Sequence, residues 1–449
     1  MPSLARKLRL HDYFALAVGT MIGTGWLVLM DDWLGRGGPL GAMLGFVLGG
    51  IILLPVGYVY GQWVLRLPDA AGEAAYTAQV FPPLVSYFTG WIMLLAYFIV
   101  CPWEAIALGK IAAYIFPSLD SVEVYRVAGQ PVFLFRLILG IALTVFLTGV
   151  NYRGIRLSAN LQKGMTSIVL LIFVALVGIS GVRGTPANFQ PLFHATPFVS
   201  ILLTLQIVPY FLTGFESVPK YAEEANPDLR GKTYMTAIAM ALGIGVSFYA
   251  LSVAAVAYIA PWPSLLGKHF ATAVAFQHGI GAHWPVQLIL VMAMFGLFQC
   301  FNGNFAASTR MIFAFGRNGS IPHGVARIHP RFQTPSNAVL IIGAATLAAL
   351  FLGDAILVPV TEVGSAASAF GWLASCVSLL MVIARDDSPS SSRTKLRVIG
   401  TFGAVAAFAL VLMKFLPGFP GHFSVAEYVA LSFWLLLGAI VHARRSHSL

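Results

Sequence analysis

Gly19-Thr20-Met21-Ile22-Gly23-Thr24-Gly25-Trp26 lies in the middle of an apolar run reaching from about Tyr13 to Leu34. A run of this length suits a membrane-spanning helix, which needs about 20 apolar residues. Glycine disfavours that helix by about 1 kcal/mol per residue relative to alanine. The stretch therefore reads as a helix unwound at its midpoint, its freed N–H and C=O groups held by protein or by a cavity. Close helix packing through small residues is the competing reading of the same glycines. A second stretch decides between them. In Val208-Pro209-Tyr210-Phe211-Leu212-Thr213-Gly214-Phe215-Glu216-Ser217-Val218-Pro219, a glycine stands between two prolines, each without a helical N–H donor. Interruptions at matching places in two successive five-helix sets point to inverted repeats around a midplane binding site. Amides freed at the first break can hold a carboxylate, and carbonyls freed at the second can hold an ammonium group. A zwitterion fits such a site without a buried formal charge on the protein.

The rest of the chain is of the same kind. Of its 449 residues, 58% are apolar and 10% are charged, against about 25% charged in soluble domains. That balance excludes a soluble enzyme, a disordered chain and a nucleic-acid module. Apolar runs fall at 13–34, 40–65, 84–116, 131–150, 160–181, 197–221, 233–260, 284–316, 336–352, 356–384, 397–416 and 424–442. The expected fold is an all-α polytopic membrane protein of twelve spans. With the N-terminus inside, 20 of the 27 basic residues fall on cytoplasmic segments and Arg136 lies within the fourth run. The excess of inward charge places both termini in the cytoplasm. The basic start at Arg6, Lys7 and Arg9 precedes an apolar stretch too long for a signal-peptide core. The expected organisation is a ten-helix core over 1–384, with repeats at about 13–181 and 197–384. A polar cytoplasmic loop at 385–396 and two peripheral helices with the tail at 397–449 complete it.

Cys101, Cys300 and Cys376 each sit in an apolar run, which argues against disulfides and metal-binding pairs. Gly41, Gly45, Gly49, Gly57 and Gly61 form a ridge down the second run, read as a close-packing face. His323 and His329 lack ligand spacing.

Five strings, in order and spacing, carry a family resemblance. They are Gly19-Thr-Met-Ile-Gly-Thr-Gly25, Leu67-Pro-Asp-Ala-Ala-Gly-Glu-Ala-Ala-Tyr76 and Phe81-Pro-Pro-Leu-Val-Ser-Tyr-Phe-Thr-Gly-Trp91. Thr213-Gly-Phe-Glu216 follows, leading to Glu223-Glu224-Ala-Asn-Pro227, then Ser308-Thr-Arg-Met311, leading to Arg317-Asn-Gly-Ser-Ile-Pro322. The chain resembles the amino acid–polyamine–organocation superfamily of permeases, which has the leucine-transporter-type fold. The resemblance implies a 5+5 inverted repeat with helices one and six broken, and alternating access for amino acids or related amines. By position it implies that Ile22, Gly23, Thr24 and Gly25 bind the substrate carboxylate. Phe211, Leu212 and Thr213 would offer carbonyls to its ammonium group, and Phe215 would cover it. One departure stands out: many members carry a lysine in helix five where this chain has Val169, and Lys163 lies too near the helix end to replace it.

Ionisable groups within spans are candidates for function. Glu104, deep in the third run, is read either as a proton or cation site or as the structural partner of Arg136 or another buried group. Glu216 follows the second break directly and is the acid nearest the expected pathway. Asp31 and Asp32 are read as solvated near the outer surface, and Glu362 as a possible outer gate. Ser308 and Thr309 are candidate sodium ligands, with capping of backbone carbonyls as the competing reading. A co-transported proton is favoured over sodium.

The sequence shows no nucleophile–base motif, metal set or phosphate loop, so no catalytic residue, metal or cofactor is assigned. The expectation is a secondary active transporter of the plasma or bacterial inner membrane, moving an amino acid or closely related amine. A polyamine or organic-amine permease is the alternative, and an integral membrane enzyme the remote one. The expected partners are the small substrate and the lipid bilayer, with no nucleic acid and no obligatory protein partner.

Overall fold

The computed structural model describes residues 6, 8–226, 231–385 and 391–447. Helix α1 (Leu10–Met21) ends where Ile22 turns to extended geometry, with φ −96° and ψ 95°. A single turn, α2 (Gly25–Val28), leads to α3 (Met30–Arg66), in which only Gly38 leaves helical geometry. Gly38 adopts φ 62°, open to glycine without steric cost, and Pro39 restarts the helix where its missing N–H does no harm. The first expected run is thus broken near its middle, and its second half is joined to the second run by a kink.

The short α4 (Glu73–Thr77) precedes α5 (Pro83–Phe98) and α6 (Val100–Ile115), which form one span with a step at Ile99. Pro102 explains the step, since it cannot donate to the carbonyl four residues earlier. Between this span and the next lies an element outside the all-helical expectation, an antiparallel hairpin of β1 (Glu123–Val127) and β2 (Gln130–Phe133). Ala128 and Gly129 both take positive φ at its turn, the geometry that follows the right-handed twist of paired strands.

Two long helices follow, α7 (Leu134–Arg153) and α8 (Ile155–Arg183). The expected second break is present: α9 (Pro197–Leu205), α10 (Val208–Leu212) and a 3₁₀ stretch Phe215–Glu224 replace one straight helix. The remainder is α11 (Gly231–Ile259), α12 (Ala271–Ile280), α13 (Trp284–Arg317), α14 (Ser336–Leu350), α15 (Leu357–Ala384), α16 (Ser391–Phe415) and α17 (Val425–Ala443).

Among the described residues, nine helices are long and apolar enough to cross a bilayer, and the pair bent by 45° at Gln206-Ile207 makes a tenth. The protein is a polytopic, predominantly α-helical membrane protein. The loop expected at 385–396 is shorter at its far end, because polar residues from Ser391 onward continue α16 beyond its apolar run. Residues 386–390 of that loop lie outside the described residues.

The glycine ridge is a packing face. Side chains added at Gly41, Gly45 and Gly49 would meet Ser200, Thr204 and Val208, and at Gly57 and Gly61 they would meet Ile238 and Met235. Helix α3 therefore lies close against α9, α10 and α11. Apolar side chains such as Leu171, Val174 and Phe433 point outward at 66–73% exposure, as a lipid-facing surface requires.

Candidate functional site

Stopping α1 at Met21 leaves carbonyls without helical partners, and a buried carbonyl needs a donor. Side chains supply them in succession. Asn304 donates to the Thr20 carbonyl at 3.0 Å, Tyr249 to that of Met21 at 2.5 Å, and Gln299 to that of Ile22 at 2.8 Å. Gln299 is itself held, because its side-chain oxygen accepts from Thr166 at 2.8 Å and its backbone carbonyl accepts from Gln162 at 2.9 Å. Asn302 donates to Gln162 and accepts from Ser158 and Asn151. A neutral amide network thus ties α7, α8 and α13 to the break in α1. Val169 is fully buried, and Lys163 pairs at 2.9 Å with Asp12 in the first turn of α1, well away from the break.

Beyond the break, the Thr24 N–H donates to Glu104 Oε1 at 3.2 Å and the Thr24 hydroxyl to Oε2 at 2.7 Å. Gly23 makes room for this contact, since a Cβ there would collide with Glu104 Oε1. A Cβ at Gly25 would lie 2.5 Å from the Phe211 ring. The close approach that these two glycines offer is therefore used by side chains of the same chain. The expected pairing of Glu104 with Arg136 does not form. Arg136 starts α7 near the bundle end, where it binds Asp120 and, at 3.2 Å, Asp354. The step at Ile99 and Pro102 belongs to the span that carries Glu104 inward to α1 instead.

In the second broken helix, Gly214 takes φ 140°, a conformation that a side chain would strain. Its N–H donates to Glu216 Oε2 at 3.0 Å. Thr213 donates to the Pro209 carbonyl at 2.7 Å and also contacts the Ser368 hydroxyl on α15.

A cavity of about 20 Å³, room for a water-sized group, lies where the two breaks meet. Gly23, Gly25, Glu104, Phe211 and Thr213 from the expected set line it, and Thr24 orients Glu104 from behind. Ile22, Leu212, Phe215 and Glu216 do not line it. Phe215 is fully buried on the far side of Gly214, packed edge-on to Tyr60 at 6.0 Å and tilted on Trp372 at 5.6 Å. The rings that border the cavity come from before the turn, Tyr210 and Phe211, with Trp103 and Tyr249. The positive φ of Gly214 separates the two groups of aromatics.

The ends of the bundle differ. On the side of Arg317, Lys220 binds both oxygens of Glu73 at 2.5 and 2.7 Å, and Tyr60 donates to the same carboxylate at 2.6 Å. Arg310 forks onto Glu224 at 3.0 and 3.1 Å, and Arg317 onto Glu223 at 2.6 and 2.8 Å. Ser308 and Thr309 belong here, about a turn beyond Asn304. Thr309 donates to the Ala306 carbonyl within its own helix and accepts from Arg310, while the Ser308 hydroxyl is buried without a hydrogen-bond partner among the described residues. At the opposite end, a vestibule of about 830 Å³ is bordered by Asp31, Asp32, Lys110, Arg136, His269 and Asp354. Asp32 is paired with Arg36 at 2.7 Å, and Arg36 reaches Glu362 at 2.9 Å. Lys414 of α16 closes on the same Glu362.

Gln162, Gln299, Asn304, Tyr210 and Tyr249 were not among the expected site residues. Amides inside apolar runs carry a usable signal, because a side chain of this kind within a span must find a partner on another helix. The tyrosines carry none beyond their position beside proline or within an apolar run.

The sequence profile of the family described as amino acid permease matches residues 8–440. The chain is 24% identical over 459 residues to the branched-chain amino acid permease BcaP of Bacillus subtilis, covering 99% of this chain and 94% of that protein. It is 24% identical over 461 residues to the methylthioribose transporter of the same organism, covering 100% and 95%. Similarity to the amino-acid permease RocE, also of Bacillus subtilis, is 21% over 84% of this chain and 81% of that protein.

Proposed function

The chain belongs to the amino acid permease family, and from that premise we propose that it is a secondary transporter of an amino acid or closely related amine, working by alternating access. The observation that carries this reading is the cavity at the meeting of the two helix breaks, with a wide vestibule at one end and buried ion pairs closing the other. Under this proposal the twelve apolar runs are twelve spans in a 5+5 repeat plus two. Both termini and the Lys220–Glu73 end face the cytoplasm of a plasma membrane. The substrate enters from the vestibule, is held between Gly23, Gly25, Phe211 and Thr213, and leaves when the ion pairs at the other end part.

Coupling to protons is favoured over sodium. A sodium ion needs several oxygen ligands, and the Thr20, Met21 and Ile22 carbonyls already hold Asn304, Tyr249 and Gln299. Two buried carboxylates can exchange a proton instead. Glu104 faces Thr24 of the first break, Cys101 of its own helix, Tyr210, Tyr249 and Cys300. Glu216 faces the Gly214 N–H, Lys220 and Glu73, with one oxygen unpartnered among the described residues.

The test is uptake of labelled amino acids and amines into proteoliposomes, with proton and sodium gradients imposed separately. Saturable uptake or exchange that responds to an imposed proton gradient and is indifferent to sodium is expected. Glu104→Gln or Glu216→Gln should flatten its dependence on pH. Absence of saturable uptake or exchange for every compound rejects the transporter. A strict sodium requirement, or wild-type pH profiles in both variants, rejects the proton coupling alone.

A further inference from the structure

We propose that Glu104 stands in for the substrate's carboxylate, so that the molecule carried is a compact organic amine with no carboxylate beside its amino group. The inference rests on the transporter reading of the cavity and narrows it to one substrate class.

A carboxylate bound at the break in α1 would need the amides just beyond it, close to Gly23 and Gly25. Thr24 has already given both of its donors, N–H and hydroxyl, to the two oxygens of Glu104. The space at Gly23 is filled by the same carboxylate, and the space at Gly25 by the Phe211 ring. A second carboxylate would have to settle beside Glu104, which is 2% exposed. Whenever Glu104 is ionised, the two like charges repel strongly where water is excluded. No Lys, Arg or His borders the cavity among the described residues to offset that repulsion.

The same walls suit a cation. Glu104 is their only formal charge and has no ion-pair partner among the described residues. Beside Glu104 and Cys300, the cavity wall includes the rings of Trp103, Tyr210, Phe211 and Tyr249, a residue class whose faces attract ammonium groups. The Tyr210 hydroxyl is buried without a hydrogen-bond partner among the described residues, leaving one polar contact open. A single carboxylate, an aromatic wall and one spare hydroxyl form a recognition site for a primary or secondary ammonium on an apolar body. The body must be small, or Phe211 must swing aside, since only about 20 Å³ is open. A proton and the substrate ammonium would then compete for one carboxylate, which links this assignment to proton-dependent exchange.

The experiment uses the full chain in proteoliposomes and in detergent, with matched pairs: isoamylamine against leucine, phenethylamine against phenylalanine, and ethanolamine against serine. Binding is read by thermal stabilisation and uptake by isotope. In the wild type at least one amine should bind at least tenfold tighter than its amino acid. Glu104→Gln should weaken that amine by at least about 30-fold, the loss expected when one partner of a buried charge pair is removed. Glu104→Asp should retain part of the binding, and Glu104→Ala, which vacates Thr24, should shift the preference toward the amino acid. The amine-to-amino-acid ratio is the deciding quantity, because a merely structural role for Glu104 would lower both together. Uptake of leucine, phenylalanine or serine in preference to its amine overturns the assignment and leaves the transporter standing. An unchanged ratio in all three variants also overturns it. If neither member of any pair binds or moves, the transporter reading falls with it.

Discussion

At the end of the bundle that carries Arg317, Lys220 and Glu73 meet with both side chains at 0% exposure, and Arg310 meets Glu224 at 0% and 1%. At the opposite end, Arg136, Asp120 and Asp354 meet around an open vestibule at 19–34% exposure. The chemistry of the pairs is the same and their surroundings are not. A pair without water depends on complete hydrogen bonding, which Tyr60 and the fork of Arg310 provide, and losing one member leaves an uncompensated buried charge. A pair in contact with water is screened and contributes little. The first end is therefore a dry cluster held by complete hydrogen bonding, which would act as a latch under the proposed transport cycle, and the second is a wet rim.

The largest effect is expected from Glu73→Gln or Lys220→Met, which strand a buried charge or its partner. Each should lower stability by about 3–5 kcal/mol, measured by thermal unfolding of the detergent-purified protein. The double variant Glu73→Leu/Lys220→Met should recover part of that loss, because neither member of the pair is left stranded while Glu216 still loses the nearby ammonium. Equal stability in the single variants would dissolve the distinction between the two ends.

An intermediate effect is expected between the ends. Gly25→Val drives two methyl groups toward the Phe211 ring, an overpacking worth about 1–3 kcal/mol. Uptake should be lost while the protein remains monodisperse and folded. Phe211→Ala in the same chain should restore part of the space and part of the stability. Normal uptake by Gly25→Val would show that the path between the latch and the rim avoids this break.

The smallest effect belongs to the rim. Asp354→Asn removes one of the two acidic partners of Arg136 and the partner of Lys110, yet should cost no more than about 1 kcal/mol, and less in high salt. Comparing its melting temperature with that of Glu73→Gln at low and high salt sharpens the contrast. A loss as large as that of Glu73→Gln would mean that the rim is as dry as the latch.

Much of this architecture was readable before the structure, and the exceptions share a cause. The two breaks at Ile22–Thr24 and Thr213–Gly214 follow from glycine and proline, which act on their own backbone. The ridge from Gly41 to Gly61 was readable as a contact face, because four-residue spacing places glycines on one side of a helix. Glu104 stood out as an acid in an apolar run, but its partner did not. Arg136 looked eligible by depth, whereas the carboxylate reaches Thr24, 80 residues away in the chain. Phe215 was expected to cover the substrate and Phe211 to offer only its carbonyl, yet the turn at Gly214 sends the Phe215 ring to Trp372 and leaves the Phe211 ring against Gly25.

Composition, local helix breakers and small-residue spacing were enough to determine a bundle of apolar helices with gaps at two known places. Each of these properties resides in a few neighbouring residues. Which groups fill the gaps depended on how the helix carrying Glu104 and the helix carrying Phe211 are rotated about their own axes when they meet α1. That rotation is a compromise among packing contacts all along the bundle. Only the tertiary structure could put a carboxylate against Gly23 and an aromatic ring against Gly25.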